Sequence, residues 1–194
     1  SYFPFKIIYK LSWKALFVSN STKKMFLQNY KVLIEDKSIL IQHGLMPITV
    51  DHENINIQKN DRVNKKIVFW GNVKPYKGVD LLLEMVKSEH FSDYTFEVHG
   101  KWDKGMSALK NELVVHKVKV SDCYLDTNQL TTLLKSDSIF ILPYVKGTQS
   151  GVLYTLLFYQ CFFIASDNND NSEFLKTSNL ESLIFNRDEI SQDK

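Results

Sequence analysis

Two lysines, Lys74 and Lys77, stand three residues apart in the stretch Gly71-Asn72-Val73-Lys74-Pro75-Tyr76-Lys77-Gly78. The stretch follows the β-branched and aromatic run Ile67-Val68-Phe69-Trp70 and precedes the apolar run Val79-Asp80-Leu81-Leu82-Leu83. Strand, glycine turn, helix is the order in which a parallel α/β sheet offers backbone N–H groups to a phosphate. Pro75 stiffens the turn and Gly71 frees the chain as it leaves the strand, while Gly78 allows a close approach at the start of the helix. Two ammonium groups beside such a turn suit a dianion. Taken alone, the same residues also describe a tight connection with two solvated lysines, and the pattern is neither G-x-G-x-x-G nor a P-loop. A second stretch has the same character. Leu142-Pro143-Tyr144-Val145-Lys146-Gly147-Thr148-Gln149-Ser150-Gly151 ends an apolar run and feeds another helical one.

Other residues invite chemistry less strongly. His43 before Gly44 reads as structural, and His99 beside Gly100 is a candidate ligand contact at a strand end. Asp167-Asn168-Asn169-Asp170 has oxygen donors of the kind Mg²⁺ or Ca²⁺ takes, but not the EF-hand spacing, and reads first as a polar loop. Cys161 sits in an apolar run and belongs to a core. No Ser/His/Asp or Cys/His arrangement is visible, so no catalytic residue is assigned, and no metal site is expected.

The elements that must position these groups are regular from residue 65 onward. Strand-like runs are expected at 66–70, 94–98, 118–122, 138–142, 162–166 and 183–185, with helices at 79–87, 106–116, 128–135, 151–160 and 172–176. Alternation at this spacing predicts a Rossmann-like, doubly wound parallel sheet of six strands. In the strand order 3-2-1-4-5-6 the first and fourth strands are neighbours, so both glycine loops open into one crevice with Lys74, Lys77 and Lys146. Upstream, a helix is expected over 2–13, a strand over 15–18, a helix capped by Ser19, Asn20 or Ser21 and running to about residue 28, a strand over 38–42, and a loop over 51–64.

The chain has 194 residues, 44% of them hydrophobic, which supports a sizeable core. Its net charge of +2 hides an asymmetry: residues 1–34 contain no acidic side chain, while Lys6, Lys10, Lys14, Lys23, Lys24 and Lys31 are interleaved with aromatics. That stretch reads first as part of a larger domain with snorkelling lysines, and second as a patch for anionic lipid. Nucleic-acid binding has no supporting signature. Two cysteines and the lack of a secretory signal fit a reducing, cytoplasmic setting. A chain that begins at Ser1 rather than Met reads as a fragment, a processed chain or a trimmed one.

Together these stretches resemble the donor-binding half of family 4 glycosyltransferases, which have the GT-B fold. The likeness rests on residues 68–84, on Leu142-Pro143-Tyr144 with Thr148-Gln149-Ser150-Gly151-Val152-Leu153, and on Ile164-Ala165-Ser166-Asp167. Phe17-Val18-Ser19-Asn20-Ser21 and Ile41-Gln42-His43-Gly44 look like the end of the acceptor-side domain and its crossing segment. The resemblance divides the chain into a remnant over residues 1–44 and a donor domain over 45–194.

What the resemblance implies is a retaining transfer of sugar from a nucleotide-sugar donor to a hydroxyl acceptor, glycan or lipid-linked, in polysaccharide or glycoconjugate synthesis. No cofactor or essential metal is implied. The implied donor contacts are Gly71, Asn72, Lys74 and Lys77 on one side and Thr148, Gln149, Ser150, Gly151, Val152 and Thr155 on the other. Two departures stand out. Asn72 occupies the place of a frequent arginine, and Gly147 and Thr155 occupy the places of two glutamates, leaving Thr155 to offer the ribose a single hydroxyl. The missing glutamates and the short chain keep open a non-catalytic nucleotide-binding partner of a transferase, and a GT-B sugar-nucleotide epimerase is a second alternative. As a retaining glycosyltransferase, this chain alone is expected to be incomplete and inactive.

Overall fold

The computed structural model describes residues 3–30, 37–41, 44–45, 48, 65–146 and 150–191. The chain forms two compact units, Ser1–Gly44 and Leu45–Lys194. The expectations for His43 and for residues 51–64, and those for Gly147, Thr148 and Gln149, lie outside the described residues.

In the first unit, α1 (Phe3–Leu11) leads to β1 (Ala15–Phe17), α2 (Asn20–Tyr30) and β2 (Ser38–Leu40). β1 and β2 pair in parallel. Ser19 supplies the cap of α2, its Oγ accepting from Thr22 N at 3.0 Å. Tyr9 and Phe17 are buried against Phe26, with ring centroids 5.1 and 5.5 Å from it.

The second unit is built on six parallel strands: β3 (Lys66–Trp70), β4 (Thr95–His99), β5 (Lys119–Ser121), β6 (Ile139–Leu142), β7 (Phe163–Ser166) and β8 (Ile184–Phe185). Their spatial order is β5-β4-β3-β6-β7-β8, the expected doubly wound order. Ile67, Val68, Phe69, Phe140, Ile141 and Leu142 are all buried, because the two central strands are covered on both faces. The intervening helices are α3 (Asp80–Lys87), α4 (Ser107–Val115), α5 (Thr127–Leu134), α6 (Gly151–Phe158) and α7 (Asn169–Thr177). α3 turns Leu81, Leu82 and Met85 into the core, and α5 is held at its start by a reciprocal Asp126–Gln129 capping box.

Several boundaries differ from the sequence reading. The quartet Asp167–Asp170, expected as a polar loop, is a loop only at Asp167 and Asn168, and its last two residues open α7. Asn168 Oδ1 accepts from Asn171 N at 3.0 Å and starts α7 three residues earlier than expected. Asp167, the other described side chain of that quartet, accepts from Ser172 Oγ at 2.5 Å and lies 3.7 Å from Lys176 Nζ. A final short helix, α8 (Arg187–Ser191), was not anticipated. Cys161 is buried as expected, its thiol donating to Leu134 O at 3.1 Å.

Candidate functional site

β3 and β6 are neighbours, so the loops that leave their carboxyl ends meet. Val145 N donates to Tyr76 O at 3.0 Å, linking the loops directly. Gly78, in a left-handed conformation at φ 66°, comes so close to the second loop that a Cβ there would overlap Pro143 O at 1.9 Å. The close approach foreseen at Gly78 is therefore made to the backbone of the facing loop. At the other end of the first loop, a methyl group added at Gly71 would lie 3.5 Å from Val152 Cγ2, in the first turn of α6. Gly71, Gly78, Val152 and Lys77 thus flank one crevice.

The β4 loop closes the far side. Gly100 has φ 144°, and a Cβ there would sit 2.0 Å from Gly71 O. Val73 and Trp102 continue the parallel pairing beyond the strands. His99 is 7% exposed, and its Nε2 is within 2.7 Å of Glu97 Oε2. Its Nδ1 is buried with no hydrogen-bond partner among the described residues. Asp122, after β5, accepts from Lys110 Nζ at 2.8 Å and from Trp102 N at 3.0 Å; these bonds hold its carboxyl well below the usual carboxylate range.

Lys77 is the electrostatic centre of the crevice. Unlike exposed Lys74 and Asn72, it is half-buried. Its Nζ lies over the Tyr144 ring, 3.6 Å from the centroid, and 5.4 Å from the Tyr76 centroid. Among the described residues it forms no ion pair. Burial, reinforced by the neighbouring Lys74, pushes its pKa down to about 8. The two lysines named as candidate ligands differ in setting: Lys74 is exposed, and Lys77 is held against an aromatic wall, which the alternative of two solvated lysines did not foresee.

Two hydroxyls also differ from expectation. Ser150 occupies the N-cap position of α6, but its side chain makes no capping bond. Its Oγ is 3.0 Å from Tyr144 Oη, and the pair is buried. The first-turn N–H groups of α6 therefore have no side-chain cap from Ser150. Thr155 is 6% exposed and donates to Gly151 O at 3.0 Å. A hydroxyl one helical turn from a carbonyl takes that near acceptor, so it is not turned outward to a ribose.

Two residues at the crevice were not assigned a role from the sequence. Tyr144 lay inside the quoted motif, but only the fold shows that its ring and hydroxyl serve different neighbours. Arg187, on α8, donates from Nη1 to Gly78 O at 3.0 Å and to Pro143 O, and from Nη2 to Asp80 Oδ2 at 3.0 Å. It ties the two loops together from behind. The acids Asp188 and Glu189 directly after it are a helix-start signal that could have marked the element.

No protein-family model and no curated protein matches the sequence. Solved structures do match the fold. WaaG, a glycosyltransferase involved in lipopolysaccharide biosynthesis, aligns over 92% of this chain and 52% of its own at TM-score 0.65 and 12% identity. The UDP-forming α,α-trehalose-phosphate synthase of Burkholderia vietnamiensis aligns over 98% and 54% at TM-score 0.71 and 10% identity. An E. coli trehalose-6-phosphate protein bound with UDP-2-fluoro glucose aligns over 92% and 51% at 0.63 and 12%. The fold is that of GT-B glycosyltransferases. The chain spans about half the length of these GT-B neighbours. Identities this low establish the architecture and leave the chemistry to be argued from the crevice.

Proposed function

We propose that residues 45–194 bind a nucleotide-sugar donor and form the donor half of a glycosyltransferase of the retaining, family 4 kind. The observation that carries this reading is the meeting of the β3 and β6 loops, which puts the Lys77 ammonium and the first turn of α6 on one crevice. The diphosphate lies between them, with Lys74, Asn72, Gly71, Gly151 and Val152 around it and Thr148 and Gln149 on the same loop. As the sugar–oxygen bond breaks, negative charge grows on the leaving diphosphate. A fixed ammonium and free helix N–H groups stabilise that charge more than the ground state. They supply positive potential without a bound cation, so the reaction needs no metal. The acceptor, a glycan or a lipid-linked hydroxyl, belongs to the other half of the enzyme, at the cytoplasmic face of a membrane. No helix among the described residues is long and apolar enough to cross a bilayer.

A second reading, a nucleotide-binding partner without turnover of its own, is favoured by one observation. Thr155 donates its hydroxyl proton to Gly151 O, so at that position a ribose would meet the acceptor side of a hydroxyl rather than a carboxylate.

A thermal-shift panel of UDP, GDP, ADP and their sugars, with and without EDTA, tests the proposal. A ligand at about 100 times its Kd adds about 2.7 kcal/mol to the native state, or roughly 5–11 °C for a chain of this size. One base is expected to give such a shift, unchanged by EDTA. No shift across the panel overturns the reading, and a shift that EDTA abolishes overturns its metal-free form. Sugar transfer by the longer protein, absent from this chain, separates the enzyme from the binding partner.

A further inference from the structure

Tyr144 is one of the largest fully buried side chains of the molecule, yet it lies in a loop, two residues past the end of β6. Its position is fixed from several directions. Ser166 Oγ donates to its carbonyl at 2.6 Å, and the next residue, Val145, donates to Tyr76 O. What the ring does with that rigidity is unusual. One face lies under Lys77 Nζ, and the hydroxyl at its tip reaches Ser150 Oγ. A single side chain thereby touches both walls of the crevice.

We propose that Tyr144 is the positioning residue of the anion site, its ring holding the Lys77 ammonium and its hydroxyl holding Ser150 at the start of α6, before any ligand arrives. This rests on the reading that a diphosphate binds at Lys77. Three physical arguments support it. A lysine carries about 2 kcal/mol of rotamer entropy, so an ammonium already seated gives up less on binding than a free one. The ring's negative face offsets part of the cost of burying a cation that has no carboxylate partner among the described residues. The hydroxyl supplies Ser150 Oγ, a buried polar atom, with its hydrogen-bond partner among the described residues. Leucine would fill the same space with neither effect, and phenylalanine would keep only the first. Among the described residues, the charged and titratable groups facing Lys77 are Lys74 and Tyr76 on its own loop and Tyr144 on the facing loop, with the Asp80–Arg187 pair at the neighbouring Gly78.

The test is calorimetric titration at pH 7 with UDP, GDP and ADP of wild type, Tyr144→Phe, Tyr144→Leu, Lys77→Met and the Tyr144→Leu/Lys77→Met double variant. Tyr144→Leu is expected to weaken binding roughly tenfold and Tyr144→Phe about three- to fivefold. In the Lys77→Met background Tyr144→Leu should cost only the three- to fivefold that its hydroxyl carries through Ser150, because the ring acts through Lys77. An equal loss in both backgrounds makes Tyr144 a structural residue and overturns the inference, as does wild-type affinity in Tyr144→Leu. If Tyr144→Leu does not fold, Tyr144→Phe and Ser150→Ala carry the test: losses that simply add overturn it. A ligand-free arm separates this inference from the diphosphate reading. The pH midpoint of Lys77 acylation, followed by peptide mass spectrometry, should stay in Tyr144→Phe and fall by about one unit in Tyr144→Leu. That result with no nucleotide binding by wild type sinks the diphosphate reading and leaves the Tyr144–Lys77 coupling standing; an unmoved midpoint sinks the coupling.

Discussion

The half-buried Lys77 ammonium makes opposite contributions to folding and to binding. Below about pH 8 the folded protein holds a cation against an aromatic wall, at a desolvation cost the unfolded chain does not pay. Between about pH 8 and the ordinary lysine value of 10.5 the unfolded state binds more protons at this residue than the folded state, so stability rises with pH across that window. Lys77→Met should lack this rise: urea unfolding of wild type and variant between pH 7 and 10 should show a difference that shifts toward wild type as pH increases. The variant should be no less stable than wild type at pH 7 and should bind diphosphate at least about tenfold more weakly. Binding should also weaken above pH 8 as the ammonium is lost, and at pH 9 it should take up a proton, read from binding enthalpies in buffers of different ionisation enthalpy. A wild-type affinity flat from pH 7 to 9.5 contradicts this role. The sequence made the lysines legible because charge and spacing are written in residue type. It could not rank Lys77 above Lys74, because the difference is Tyr144, brought under one of them only by the pairing of β3 with β6. Ser150 and Thr155 were legible as hydroxyls for the same reason, and their partners were not.

The strands of the second unit were readable because buried parallel strands appear as continuous apolar runs, with Ile67, Val68 and Phe69 the plainest case. Ends moved by a residue or more where a polar residue such as Asn168 chose capping over the loop its composition suggested. α8 was missed because five residues with one apolar side chain show no period to detect. That short element nonetheless secures the crevice through Arg187. Arg187→Met removes a donor from Pro143 O, while Gly78 O keeps its bond from Leu81 N, and should cost about 1–3 kcal/mol by urea unfolding, the cost of leaving a buried acceptor short of its donor. Asp80→Ala should cost less, because Asp80 is more than half exposed and its ion pair is solvated. Equal costs would place the function of Arg187 in the ion pair. The β3–β4 junction is tested at Gly100. Its φ of 144° and the 2.0 Å approach of a Cβ to Gly71 O leave no room for alanine. Gly100→Ala should destabilise by at least about 1–3 kcal/mol from backbone strain alone, and it should weaken nucleotide binding by displacing the Gly71 turn.

At the scale of the whole molecule the two units differ in how well their sequences close on themselves. The first unit leaves Leu11 82%, Trp13 85% and Leu16 63% exposed, on a helix end and on a two-stranded parallel sheet. Parallel sheets are stable with both faces covered, and isolated strand pairs are marginal. The second unit encloses an extended core across six strands, and every described group of the proposed site lies within it. A domain of about 150 residues buries roughly 70% of its chain's surface and is self-sufficient, whereas a unit near 40 residues sits at the lower limit of independent folding. Residues 45–194 produced alone should therefore fold cooperatively and bind the same nucleoside diphosphate as the full chain, within about twofold in affinity by calorimetry. Residues 1–44 produced alone should show no cooperative thermal transition by circular dichroism. Under the proposed function, in which the acceptor is held by another half of the enzyme, neither piece, nor the two mixed, should transfer sugar. If residues 45–194 fold but bind nucleotide tenfold more weakly than the full chain, the first unit contributes to the site, and the donor half is not confined to the six-stranded domain.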